Sequence, residues 1–403
     1  MNNKFNRPEL LAPAGSLEKL YVAVQYGADA VYLSGQAFGL RQASDNFTLE
    51  ELKEGLAFCR QKNVKTYITL NSHFHGQDFQ ELDPFLALLK SCAADALIIS
   101  DLGVLEYVRP YGIPVHLSTQ ASCLNSEAAS FWGKMGVKRL ILGREVSLRE
   151  ARNIKERSGL EVELFIHGSM CMSYSGHCVI SNFTSGRDSN RGGCAHSCRF
   201  EYSLDLGDDR KGPSTFFMSS KDLNGLDLLP LCSEYGIDSL KIEGRMRGPL
   251  YVGTMCKVYH EVLETLEKGP ASQKLWQDWR RRLEKMSHRD YSQGSLLKPA
   301  DLESIYDQRE SEENLYPFAG TVLEAMPGQH LLLHAKTALS PGDTVDIVTF
   351  KGEDISLPIT QLFSIDNRPL SRCRPSSVIK LPYHPGVAAS MIVRKVLPVS
   401  VHP

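Results

Sequence analysis

The sequence predicts an α/β protein: a (β/α)8 TIM-type barrel with a cysteine-rich insertion after its seventh strand, followed by a small C-terminal antiparallel β-barrel-like domain. Three observations carry that expectation. Short apolar, β-prone runs alternate with helix-like stretches eight times, the number at which such a parallel sheet closes. One loop dense in Cys, Gly, Ser and Asn interrupts the alternation. From about Leu315 the pattern changes to short alternating runs separated by Pro-Gly turns at 327–328 and 341–342.

The elements follow in order. Leu10–Ala14 is the first strand, and Ser16 caps a helix that lines up Leu17, Leu20, Tyr21 and Val24. Ala30–Leu33 is the second strand. Thr48 and Glu51 form a capping box ahead of Leu49, Leu52 and Leu56. Lys65–Leu70, Ala96–Ile99, Val115–Thr119 and Arg139–Leu142 are the third to sixth strands, and Ser147 with Glu150 caps another helix. Val162–Ile166 is the seventh strand and Ser239–Glu243 the eighth. Between them lies the insertion, residues 169–236, in which Thr215–Ser220 reads as an extra strand and Asp222–Cys232 as helix. Tyr251–Glu267 is an amphipathic helix that closes a barrel domain spanning 1–270. Residues 271–314 read as an exposed polar helix and a linker, and 315–403 as the β domain.

Composition bounds the function. The chain has 403 residues, 42% hydrophobic and 23% charged, enough for a large core and two or three domains of roughly 150 residues. A net charge of -2 advertises no global affinity for nucleic acid, so any such binding needs a local patch. The opening MNNKFNRPELLAPAG lacks a secretory h-region and no run is long enough to span a bilayer. A cytoplasmic address is therefore expected, where cysteines are reduced, ligating or buried. Cys59, Cys92, Cys256 and Cys373 stand singly as small core residues, and Cys123 follows a strand end.

In a closed barrel the catalytic residues sit where strands end. Asn71, Ser72, Asp101, Gln120, Arg144, Glu145, His167, Gly168, Glu243, Gly244 and Arg245 all occupy such positions. The cysteine loop leaves the same rim. Cys171, Cys178, Cys194 and Cys198 are spaced C-x6-C-x15-C-x3-C. Structural zinc prefers knuckles of two cysteines two to four residues apart, and only Cys194 and Cys198 are that close. Iron–sulfur ligation tolerates irregular spacing, and the glycines 176, 186, 192 and 193 suit backbone wrapped around an inorganic core. Spacing alone leaves both open, with His167, His177 and His196 as substitute ligands. A redox dithiol would lack its C-x-x-C, and neither H-E-x-x-H nor G-x-S-x-G is present.

The segments PELLAPAGSLEKLYVAVQYGADAVYL (8–33), ELFIHGSMCMSYSGHCVIS (163–181), GRDSNRGGCAHSCR (186–199) and SLKIEGRMRGPLYV (239–252) resemble the peptidase U32 family over about residues 8–300. The family name implies a peptidase. Its better-understood members are similar to oxygen-independent hydroxylases carrying a 4Fe–4S cluster. Some act on quinone precursors, others on a wobble uridine of tRNA or a cytidine of rRNA, with prephenate implicated as oxygen donor. A chain of this length with this tail is similar to the tRNA branch. By position the resemblance makes Cys171, Cys178 and Cys194 cluster ligands. Cys198 completes the set, with Cys232 as the alternative fourth.

An anionic donor would need cations, for which Arg144, Lys241, Arg245 and Arg247 are candidates. His116, His167 and Glu243 are the proton-transfer candidates. Against each stands an internal ion pair or a satisfied histidine. Contacts to RNA could come from Arg187, Arg191, Arg199 and Arg280–Arg282. Tyr316, Phe318, Phe350 and Phe363 of the tail either stack on bases or form its core. The tail could equally be a module that binds another protein.

Overall fold

The computed structural model describes residues 5–36, 38–40, 46–207, 211–308 and 314–398. The strands of its first part are β1 (Glu9–Pro13), β2 (Ala30–Leu33), β3 (Lys65–Leu70), β4 (Ala96–Ile99), β5 (Val115–Leu117), β6 (Arg139–Ile141), β7 (Glu161–Gly168), β8 (Tyr202–Asp205), β9 (Lys211–Thr215), β10 (Asp222–Asn224), β11 (Ser239–Ile242) and β12 (Tyr291–Ser292). Strands β1 to β7 pair in parallel in sequence order, and β11 pairs in parallel with both β1 and β7. The eight-stranded parallel barrel is therefore closed, as expected. Both faces of these strands are covered, which is why they read as continuous apolar runs.

The helices are α1 (Leu17–Gln25), α2 (Leu49–Gln61), α3 (Leu82–Ser91), α4 (Leu102–Val108), α5 (Ser126–Lys134), α6 (Leu148–Ser158), α7 (Ile180–Ser185), α8 (Leu229–Glu234), α9 (Pro249–Lys268) and α10 (Gln273–Glu284). Their starts are chemically specified. Ser16 accepts from the Lys19 amide, and Thr48–Glu51 and Ser147–Glu150 form complete capping boxes. Asp101 and Asn125 cap α4 and α5 in the same way.

One irregularity matters for the site. Lys241 pairs with Phe165, but the next residue, Ile242, pairs with His167, so β7 carries one extra residue there. Beyond that bulge β7 also pairs antiparallel with β10, His167 facing Asn224 and Gly168 facing Leu223.

Three expectations change. Thr215–Ser220 is not a strand beyond Thr215, where β9 ends; the pairing segment is β10. Asp222–Cys232 is not one helix either. The Asn224 side chain accepts from the Leu226 amide, turning the chain, and helix resumes only at Leu229. Nor is 271–314 an exposed helix and linker. Helix α10 buries Trp279 and Leu283, β12 pairs with β10, and buried Arg289 holds Asp222 at 2.6 Å. The barrel domain thus extends well past residue 270. Residues 309–313 lie outside the described residues.

The second part is an antiparallel sheet of β13 (Phe318–Met326), β14 (His330–Ala335), β15 (Thr344–Val348), β16 (Ile355–Pro358), β17 (Ser377–Pro382) and β18 (Ile392–Val396), in the order β16-β15-β18-β13-β14-β17. It curls around its own core, including Leu331, Leu333, Val345, Ile347, Ile379 and Leu381. It is fastened to the barrel's helical layer. The Tyr26 hydroxyl donates to the Val348 carbonyl at 2.6 Å and accepts from the Ile392 amide at 3.0 Å. Lys257 of α9, 1% exposed, pairs with Asp354 at 2.7 Å. The aromatics considered as a stacking platform are half-buried, and Phe350 packs edge-on against Tyr26 with centroids 5.0 Å apart.

Candidate active site

Alternation along the barrel strands turns Tyr32, Thr69, Ile98, Ile141, Phe165 and Lys241 inward, where they form the floor of a cavity of about 130 Å³. Asn71, Ser118, Gln120, Arg144, Glu243 and Arg245 stand around it at the strand ends, and the cysteine loop roofs it. This is the end of the barrel that carries chemistry in this architecture.

Below the floor the barrel is plugged by ionic contacts. Fully buried Glu163 accepts from Lys241 at 3.0 Å and from Arg139 at 3.4 Å. Arg139 also reaches Glu9 at 2.5 Å and Glu161 at 2.8 Å, and Tyr67 donates to Glu9 at 2.9 Å. Burial lowers the pKa of Lys241, and the guanidinium groups of Arg144 and Arg245 act in the same direction, while Glu163 opposes them. Buried Arg245 donates to Thr69 Oγ1 at 2.9 Å and to the Leu40 carbonyl. Arg144 stacks on Phe165, its Cζ 4.1 Å from the ring centroid. The Glu243 carboxylate has no hydrogen-bond partner among the described residues, while its backbone carbonyl accepts from Tyr251.

Two of the expected proton-transfer residues do not join this cavity. His116 lies in the lower layer of the barrel, its ring 4.7 Å from that of Tyr67 and beside Arg139. Burial, then Arg139, Lys241 and Lys65, push its pKa well below the usual 6.5. His167 is carried to the outer face by the bulge, together with its partner Ile242. There its Nδ1 lies 3.1 Å from the Tyr259 hydroxyl of α9, and burial lowers its pKa to about 3. Of the catalytic candidates, then, the structure brings together Lys241, Glu243 and Arg245.

Cys171, Cys178, Cys194 and Cys198 all line the cavity, Cys171 exposed and the others half-buried. The loop that carries them is docked by polar contacts. Glu145 accepts from the Ser175 amide at 2.9 Å, Asn190 donates to the Cys178 carbonyl at 3.1 Å, and Arg191 pairs with Asp78 at 2.7 Å. Gly176 has φ +81°, and a Cβ there would stand 2.0 Å from the Gln120 carbonyl. Only glycine permits this approach. Burial raises the Cys198 thiol to about 11, and Cys171, Cys194 and Cys178 add to the rise. Each deprotonated neighbour thus makes the next deprotonation harder unless positive charge sits among them. No three His, Cys, Asp or Glu side chains among the described residues converge closely enough to hold one metal ion. Cys232 is elsewhere, on α8 in the barrel's apolar core, and burial raises its thiol to about 12.

The expected RNA contacts fare unevenly. Arg280, Arg281 and Arg282 are each paired, with Asp227, Asp278 and Glu261. The cysteine loop instead carries exposed apolar side chains: Tyr174, which lines the cavity (63% exposed), and Phe183 (86%) and Phe200 (48%) elsewhere on the same insertion. These, and the floor residues Tyr32 and Phe165, were missing from the expected site. The floor pair was available from the period-2 alternation that places Phe165 on the face of Glu163.

Comparison with known proteins adds a frame. The profile described as Peptidase family U32 matches residues 15–305. The chain is 37% identical to the tRNA hydroxylation protein P1 of Bacillus subtilis, over 96% of this chain and 95% of that one. It is 30% identical to the tRNA hydroxylation protein P of Escherichia coli, over 86% and 87%. It is also 32% identical to a protein of Porphyromonas gingivalis named Collagenase, over 72% and 73%. Among the described residues no helix is long and apolar enough to cross a membrane.

Proposed function

The chain belongs to the peptidase U32 family, and from that premise we propose that it is an RNA hydroxylase, converting a wobble uridine of tRNA to 5-hydroxyuridine without molecular oxygen. The observation that carries this reading is the meeting at one barrel cavity of four thiols and a carboxylate that has no hydrogen-bond partner among the described residues. The near full-length similarity to tRNA hydroxylation proteins supports the choice of tRNA over rRNA.

Cys171, Cys178, Cys194 and Cys198 would hold a 4Fe–4S cluster. The donor set fits it. Tetrahedral zinc with Zn–S of about 2.3 Å needs sulfurs about 3.8 Å apart. The thiols instead surround a cavity without a single-ion site among the described residues. With each iron held by one of the four thiolates, such a cluster would supply electron transfer. Cys198 serves as fourth ligand because Cys232 faces the core.

The protein's own groups set the rest. The target base must leave its stack to enter the barrel mouth, and the exposed ring of Tyr174, which lines the cavity, offers it an apolar face. Replacing C5–H by C5–OH is a two-electron oxidation, so the donor that yields oxygen also accepts the electron pair. A small prephenate-like acid is the proposed donor. Glu243, which lines the cavity, is the proposed acceptor of the proton released at C5. Mass spectrometry of tRNA nucleosides from a deletion strain tests the reading. The wild-type gene restores 5-hydroxyuridine and Cys198→Ser does not, whereas Cys232→Ser does. An unchanged nucleoside profile in the deletion strain would remove the proposal.

A further inference from the structure

Four charged side chains face the cavity: Arg144, Lys241, Arg245 and Glu243. Two of the three cations are committed, Lys241 to Glu163 at 3.0 Å and Arg245 to Thr69 at 2.9 Å. Arg144 is different. Its Nε is buried without a hydrogen-bond partner, and its guanidinium has no acceptor among the described residues. We propose that Arg144 is the anchor of a carboxylate subsite in this cavity, recognising a small organic acid that enters with the RNA. The inference rests on the hydroxylase reading for the identity of the acid as co-substrate, and on geometry for the subsite itself.

The chemistry follows from the stacking. With one face of the guanidinium over Phe165, its N–H edge stays without an acceptor among the described residues, the arrangement that receives a carboxylate through two parallel hydrogen bonds. A buried N–H without an acceptor is unfavourable, and a bound anion removes that penalty. The body of the acid would lie on the apolar floor of Tyr32, Ile98 and Ile141. That floor selects an acid with a carbon ring or chain and disfavours inorganic phosphate, which has no apolar part.

Isothermal titration of the full-length, iron-loaded protein tests this with prephenate, phenylpyruvate and inorganic phosphate. Wild type binds the two carboxylic acids more tightly than phosphate. Arg144→Gln weakens them by about 10- to 100-fold, and Arg144→Lys recovers part of the loss. Iron content stays at the wild-type level, and in turnover the loss falls on KM for the acid more than on kcat. Equal affinity in wild type and Arg144→Gln overturns the subsite. So does loss of iron at unchanged affinity, which would make Arg144 a counter-charge for the thiolates, and so does phosphate binding as tightly as the acids. If wild type binds neither acid the subsite also falls, while the nucleoside profile decides the hydroxylase reading by itself.

Discussion

His167 shows how one buried side chain ties stability to pH. Its pKa is lowered to about 3 in the folded protein by burial, against 6.5 when exposed. Between those values the unfolded chain binds the extra proton and the folded one does not. Stability therefore rises with pH across that window and is lost as pH falls from about 6.5, by up to about 1.4 kcal/mol per unit for the group. His116 acts in the same direction. Urea midpoints measured from pH 6.5 down to 5.5, above the ordinary Glu value of 4.5 from which Glu9 is lowered, should fall steadily. His167→Gln should flatten that slope, and a slope identical to wild type would contradict the assignment. The same residue marks a limit of reading chemistry from position. A histidine ending the seventh strand looks catalytic, yet its orientation depends on a bulge that no local pattern announces.

At the level of elements, legibility tracked how local the cause is. The capping boxes at Thr48–Glu51 and Ser147–Glu150 lie within four consecutive residues and were readable directly. The parallel strands were readable from their apolar runs. β10 and β12 were not, because two or three residues become a strand only by pairing with β7 and with each other across long stretches of chain. The four cysteines were legible as a group from composition. Arg144, without an acceptor among the described residues, was legible only as one cation among several. Gly176 is the contact on which the loop's docking turns. Gly176→Ala brings a Cβ to 2.0 Å from the Gln120 carbonyl at a positive φ, so the loop must lift from the rim. In the iron-free protein Cys178 should then alkylate several-fold faster than in wild type, with the helical circular dichroism preserved. An unchanged alkylation rate would show that the loop is held by its side chains alone.

For the whole molecule, the two domains share buried polar contacts rather than a bare apolar seam. Tyr26 satisfies a carbonyl and an amide of the β domain at once, and Arg394, fully buried, joins Asp346 at 3.1 Å and Asp354 at 2.8 Å beside Lys257. Tyr26→Phe leaves Val348 O and Ile392 N without their partner and should cost about 1–3 kcal/mol in chemical denaturation. A midpoint equal to wild type would mean that water enters the seam. The pairing of Gly168 with Leu223 carries a different kind of consequence. The chain leaves the barrel and returns to it at the same place, so everything between is a pendant closed by its own clasp. Lengthening such a pendant costs only a slowly growing closure entropy. Its stretches outside the four cysteines and their docking contacts are free to change length, while the cylinder beneath keeps its register.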